Sequence, residues 1–361
     1  MTKREIIKTL LNKEIPERVG LNESFWPYII PISWGAQGMP EKEDFLKRFN
    51  FDFRGAGGFS APAPRPDLVR ESVEETDEWR VSRNAWGATM KHWKSKAGTP
   101  EHVDFMVNSP EVWNKEFREA FIALDVRNSF DVPKLKQTYA DAMAHEEFVT
   151  YGGLFIFEDM RRILGDLVML ESLLAEPEWI TDFCTVLTNK YIDAYEFLFR
   201  EIGLPDGVHI YEDLGYTMAP FASPAVHREL VHPHHKRLFS LFKDYNLPVI
   251  LHTCGEFRAH IPAIIESGAD CIQAIEAKTG MDIVKMAEQY KDKLCFMGNI
   301  DVRALESGDR AKIKEECLYK LNGMKAQRAP YIYMSDHSIT YDVKLADFEY
   351  MQELFWENCR Y

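Results

Sequence analysis

His252 and Cys254 stand two residues apart at the end of an apolar run, Leu247-Pro-Val-Ile-Leu-His-Thr-Cys. On an extended chain, residues i and i+2 face the same side. An imidazole and a thiolate so placed are both zinc ligands. A catalytic zinc takes about three protein ligands and keeps one position open. The pair alone does not decide for a metal. A buried cysteine also serves as a small apolar residue, and a histidine at a strand end also serves as a hydrogen-bonded structural group. The chemistry turns on which other polar side chains the chain brings to the same place.

The elements around this pair repeat. From Gly207 onward, apolar strands alternate with helical stretches, and each strand ends in polar residues. GVHIYEDLGY ends in Glu212 and Asp213, LPVILHTCG in His252 and Cys254, and ADCIQAIEAKTG reaches Glu276. LCFMGNID reaches Asn299 and Asp301, and APYIYMSDHS reaches Asp336 and His337. Between them lie helical segments such as SPAVHRELVHPHHKRLF, with Ser223 as cap, Pro224 at the first position and a break near Pro233. Strands alternating with such helices imply parallel βαβ units. No G-x-G-x-x-G follows a strand, so the pattern favours a (β/α)8 TIM barrel over a dinucleotide-binding sheet. In a barrel the strand ends converge on one mouth, where active sites are built. Any one of these residues would also serve as a helix cap or salt-bridge partner. A succession of five such strand ends is not explained so simply.

The first half reads less regularly. We take 1–361 as a single barrel domain, with 1–105 as an N-terminal elaboration and 106–361 supplying most of the barrel. Residues 3–13 are helical, with Ile6, Ile7, Leu10 and Leu11 on one face. The following Pro- and aromatic-rich stretch is either a lid or floor on the core, or places Phe25, Trp26, Tyr28 and Trp34 in an apolar substrate pocket. Residues 76–84 and 87–94 read as paired strands, and 109–124, 131–147 and 177–203 as helices.

Composition sets the limits. The chain has 361 residues, 46% of them hydrophobic, and a net charge of -14, which argues against nucleic-acid binding. No apolar run reaches the roughly 18 residues of a membrane-spanning helix, and the charged, amphipathic opening stretch does not read as a signal peptide. The expectation is therefore a cytoplasmic protein that binds neither membrane nor nucleic acid. Its six cysteines have no CxxC spacing and read as free thiols, all but Cys254 in the core. His232-Pro-His234-His235 is expected on a barrel helix away from the mouth, and His102 in a loop.

The segments EDLGYTMAPFASPAVHRELVHPHHKRLF, VILHTCGEF, FMGNIDVRAL and YIYMSDHSITYDV together resemble the uroporphyrinogen decarboxylase superfamily. The resemblance covers most of the chain and is strongest from about residue 205. The decarboxylase branch carries an Arg-Gln-Ala-Gly-Arg segment for tetrapyrrole carboxylates. Here the corresponding stretch reads VGLNESFWPYII and lacks those arginines, which a polycarboxylate would need. The other branch contains zinc methyltransferases that work with corrinoid proteins and use His-x-Cys followed much later by Cys. His252 and Cys254 match the first two positions. His337 stands where the late cysteine is expected, so the third ligand is His337 or an acid, Glu212 or Asp213, with Glu276 also open.

That resemblance implies a Zn2+-dependent enzyme that moves a methyl group from a methoxylated substrate, aromatic ethers included, to the cobalt of a corrinoid (cobalamin) carried by a partner protein. In this reading His252, Cys254 and His337 are the metal residues, and Glu212, Asp213 and Asp336 the catalytic ones. Asp336 would fix a neighbouring imidazole. Asn299 and Asp301 either bind the cofactor or substrate or anchor the strand end. The alternatives are a cofactor-free decarboxylase, a methylcobalamin:thiol methyltransferase, and a non-catalytic barrel. The family's barrels often pair; the sequence leaves a homodimer open.

Overall fold

Near-continuous apolar runs such as Cys295–Gly298 and Tyr331–Tyr333 make strands that are buried on both faces, and eight strands lie side by side. The structure is a computed structural model that describes residues 1–95 and 100–361. The parallel strands are β1 (Gly20–Leu21), β2 (Phe53–Gly58), β7 (Phe148–Leu154), β8 (Gly207–Tyr211), β9 (Val249–Thr253), β10 (Cys271–Ala274), β11 (Cys295–Gly298) and β12 (Tyr331–Tyr333). They form one curled, TIM-barrel-like sheet in the order β1-β12-β11-β10-β9-β8-β7-β2. The two outer strands meet through one residue. The Asp52 amide donates to the Leu21 carbonyl at 2.9 Å, and the Asp52 carboxylate accepts from the Leu21 amide at 2.7 Å. Arg18 holds that carboxylate with both guanidinium nitrogens, at 2.8 and 2.7 Å, so the buried charge is paired.

Two of the eight strands thus come from residues that the sequence pattern placed in the N-terminal elaboration. β1 is two residues long and β2 reads FRGAGG, too short or too glycine-rich to show an apolar strand signature. What stands apart is a four-stranded antiparallel sheet, β3 (Arg70–Glu75), β4 (Trp79–Arg83), β5 (Ala88–Trp93) and β6 (Glu101–Phe105). Its middle pair is the expected hairpin. His102 lies on β6 and not in a loop.

Side chains inside the curled sheet change character along its axis. At one end the first helix, Lys3–Leu11, inserts Ile6, Ile7, Leu10 and Leu11 against Phe53, Phe148, Ile250, Cys271, Cys295 and Ile332. Each of those aliphatic side chains, fully buried, contributes roughly 1.5–3 kcal/mol. One residue pair further along, the interior turns polar. Tyr211 is in register with His252 and His252 with Gln273. The strand period of two therefore puts apolar residues at the plugged end and titratable ones at the mouth. A larger core fills the space between strands and surrounding helices, including Pro177–Glu201 and Leu345–Asn358. Among the described residues no helix is long and apolar enough to cross a membrane.

Candidate metal centre

The alternation that builds the barrel also sorts its strand ends. Beyond β8, Asp213 keeps the parity of His209 and Tyr211 and faces the interior cavity; beyond β9, Cys254 keeps that of His252. Thr253, between the two, points outward and accepts a hydrogen bond from the Leu214 amide at 3.1 Å. Asp213, His252 and Cys254 each offer one ligand atom, and these atoms all lie within 4.8 Å of one another. His252 Nε2 is 3.3 Å from Cys254 Sγ and 3.3 Å from an Asp213 oxygen. The same carboxylate accepts from the Cys254 amide at 3.1 Å.

The imidazole is oriented from behind. Its Nδ1 lies 2.5 Å from Gln273 Oε1, so Nδ1 carries the proton and Nε2 faces the other two donors. Gln273 also meets His209 Nε2 at 3.2 Å, and Tyr211 reaches His209 Nδ1 at 3.3 Å. The loop past Cys254 is fixed by Glu276, which accepts from the Gly255 amide at 2.9 Å. Gly255 has φ +77°, and a Cβ there would come within 2.2 Å of the Gly215 backbone; only glycine lets the two mouth loops touch.

The charges follow. For Asp213, burial raises the carboxyl pKa, but the hydrogen bond and charge of His252 outweigh it and bring it down to about 2. Burial works against a charged His252, yet Cys254 and Asp213 raise its pKa well above the ordinary value. Burial pushes the Cys254 thiol up despite His252. A carboxylate, an imidazole and a thiol in contact are the donor types zinc takes, and a carboxylate with a thiolate would neutralise a divalent ion. The residues present fit the metal, with three protein donors opening on one cavity.

That cavity is about 630 Å³, within the usual range for small-molecule sites. Besides the three donors its wall includes Glu23, Tyr211, Gln273, Met334 and His337. Among the described residues no lysine or arginine lines it. Glu23 is buried and accepts from the Ser335 amide at 3.0 Å and hydroxyl at 2.7 Å; burial pushes it up to about 8. Burial thereby outweighs the hydrogen bonds from Ser24 and Ser335, which favour the charged form.

The structure brings together only part of the residue set gathered from strand ends. His337 lines the cavity but does not join the donor group. Its Nδ1 lies 3.2 Å from the Ser338 carbonyl and its ring meets Trp26 edge-on, so Asp213 takes the third place. Glu212 has the opposite parity. It is buried outside the barrel wall, accepts from the Phe157 and Glu158 amides at 2.9 and 3.0 Å, and sits 2.6 Å from His235 Nε2. Burial pushes Glu212 up to about 8 and His235 down to about 3, favouring the uncharged form of each. Asp336 accepts from the Ala277 and Val302 amides, at 2.8 and 2.9 Å, and among the described residues no imidazole is hydrogen-bonded to it. Asn299 is wholly buried, bonding the Ile283 amide, Lys320 and the Ile275 and Met281 carbonyls. Asp301 caps the helix Val302–Glu306 and pairs with Arg303 at 2.6 Å. Asn299 and Asp301 anchor strand ends and do not line the cavity.

The aromatic N-terminal stretch divides likewise. Trp34 is fully buried, donates to the Val343 carbonyl at 2.8 Å and packs with Phe25, Phe45 and Phe348 in the core. Tyr28 is exposed. Gln273, His209, Tyr211 and Glu23 were not singled out by the sequence pattern. For His209 and Tyr211 a signal existed, since both share the parity of Asp213.

A family model described as Uroporphyrinogen decarboxylase (URO-D) matches residues 167–357, more than half of the chain. A search of curated proteins returns no match. Among solved structures, a methyltransferase from Methanosarcina mazei superposes over 99% of this chain and 99% of its own, with a TM-score of 0.68 at 13% identity. At that identity the likeness shows a shared fold. A Xaa-Pro dipeptidase with bound methionine in the active site aligns over 62% of this chain and 56% of its own, at 14% identity and a TM-score of 0.31, too low to carry weight.

Proposed function

We propose, from the premise that the chain belongs to the uroporphyrinogen decarboxylase family, that it is a zinc-dependent methyltransferase that takes the methyl group from a methoxylated substrate. The observation that carries this reading is the convergence of Asp213, His252 and Cys254 at the head of a cavity that no lysine or arginine of the described residues lines. Among the described residues a polycarboxylate substrate would meet no lysine or arginine in its wall, which weighs against tetrapyrrole decarboxylation. The full-length likeness to a methyltransferase fold agrees with the proposal.

Asp213, His252 and Cys254 would hold the metal. When bound, zinc supplies Lewis acidity to the oxygen that gives up its methyl group, and the corrinoid of a partner protein is the methyl acceptor. The rest falls to this chain. Gln273 fixes the imidazole so that its Nε2 faces the metal position. Glu276 pins the backbone after Cys254, and Gly255 against Gly215 keeps the two loops in contact. The departing oxygen keeps the electron pair of the broken bond and needs a proton. Glu23, at the cavity wall with its pKa pushed up by burial, would supply it. Tyr211 and His337 would position the substrate.

The test is metal content and methyl transfer in the full chain, with Cys254→Ala as control. We expect zinc bound at the mouth to be lost in the variant, with turnover falling by on the order of 10³-fold, the several kcal/mol a Lewis acid supplies. Methyl transfer that survives at normal rate without the metal would overturn the reading.

A further inference from the structure

Outside the mouth, His227, His232 and His260 converge in the core. We propose that these three imidazoles form a second metal site, for a divalent transition-metal ion of zinc's class, tying the helices after β8 to the turn that follows the His252–Cys254 loop. The inference does not depend on the proposed methyl transfer.

Local structure makes the cluster. The helix Pro224–Leu230 stops just before Val231, and a new one starts at His232 with Pro233 in its first turn. This break turns His232 back toward His227, with His227 Nδ1 and His232 Nε2 3.1 Å apart. His260 ends a short turn, Arg258–His260, six residues beyond Cys254, and its ring centroid lies 4.6 Å from that of His227. One ligand nitrogen from each of the three lies within 4.8 Å of the others. Side-chain rotation of modest size would close this to the roughly 3.3 Å between nitrogens around a tetrahedral ion with about 2.0–2.1 Å bonds.

A packed trio of structural histidines would have its nitrogens satisfied by protein partners. Here His227 Nε2 and both nitrogens of His260 are buried with no hydrogen-bond partner. The Ala222 carbonyl lies near His260 without completing a bond of ordinary geometry. Folded proteins rarely leave buried polar atoms unpaired, and a bound ion would take up one nitrogen lone pair on each of the three imidazoles. His227 and His260 are fully buried and His232 nearly so. Burial also holds all three below the ordinary histidine range, in the neutral form that binds metal. His232 is further approached by Ser267 Oγ and by His235 Nδ1, each at 3.5 Å. His235 in turn meets the Glu212 carboxyl, so the cluster has its own outer partners. The donors are all nitrogen, which separates this site chemically from the mixed set at the mouth.

That difference supplies the test. The full chain carrying His252→Ala and Cys254→Ala is loaded with cobalt(II) and dialysed, and its cobalt is counted. We expect on the order of one cobalt per chain, with ligand-field bands, no thiolate-to-cobalt charge transfer, and an X-ray absorption shell of imidazole nitrogens only. Adding His227→Phe should remove it. The inference is overturned if the mouth-deleted chain retains no cobalt, if its metal shows sulfur, or if cobalt survives His227→Phe. The first two readouts leave the cluster intact, so they stand even if His227→Phe does not fold. The mouth reading is judged separately, by whether wild type shows the thiolate band that the double variant lacks.

Discussion

Among the described residues, two clusters gather three metal-capable side chains within the same span of 4.8 Å. At the mouth, Asp213, His252 and Cys254 are partly exposed, open on a cavity, and bonded to one another and to Gln273. Beneath the helices, His227, His232 and His260 are buried, all nitrogen, and incompletely bonded. Donor count is equal; access and donor charge differ. A site that does chemistry needs an open position and charge to balance its ion. A site that only ties elements together needs neither.

The largest contrast should come from neighbours in sequence. Asp213→Ala should remove mouth metal and cut turnover on the order of 10³-fold, while lowering the melting temperature of the metal-free chain less than a buried substitution does. Glu212→Ala should do the reverse. It leaves His235 and two helix amides without their buried partner, at about 1–3 kcal/mol, and should leave mouth metal in place. Metal analysis and melting curves on both variants check this; equal metal loss would erase the distinction drawn from strand parity.

Gln273→Ala comes next. The variant keeps all three donors but frees the imidazole, and metal affinity should fall about 10–100-fold. Competition with a chelator measures it, and an unchanged affinity would show that Gln273 does not orient His252.

A smaller effect is expected from Glu23. Its folded pKa of about 8 lies above the ordinary 4.5. Its share of stability is therefore fully present below pH about 4.5 and is lost as pH rises through about 8. Glu23→Gln should remove that share of the alkaline decline, visible as a few degrees in the melting temperature at pH 9 relative to pH 6. Parallel curves for wild type and variant would count against a buried neutral carboxyl. The smallest effect should be chelation of metal from the mouth-deleted chain, which lowers its melting temperature by a few degrees through loss of a native-state ligand.

Much of this was written along the chain. The apolar strands with polar ends, the Ser223 and Ser109 caps, the His252–Cys254 pair and the inward face of the first helix follow from periods of 2 and 3.6 and from capping chemistry, which are local. The apolar mid-strand positions mark the barrel core for the same reason. Asp213 shares the parity of His209 and Tyr211 and Glu212 does not, but the cavity lining and the partners of Glu212 were needed to show which face is the interior.

The remainder needed the tertiary structure. β1 and β2 are too short or too rich in glycine to announce themselves; their neighbours across the sheet define them. His337 and Asp336 end a strand as suggestively as Asp213 does. Only the folded chain shows Asp336 consumed by two amides and His337 turned to Ser338 and Trp26. His227, His232 and His260 span a broken helix and a turn with β9 between them. No sequence period connects such positions. Residue order determines donor type and side; which donors meet is set by how strands and helices pack, a sum over contacts distant in the chain.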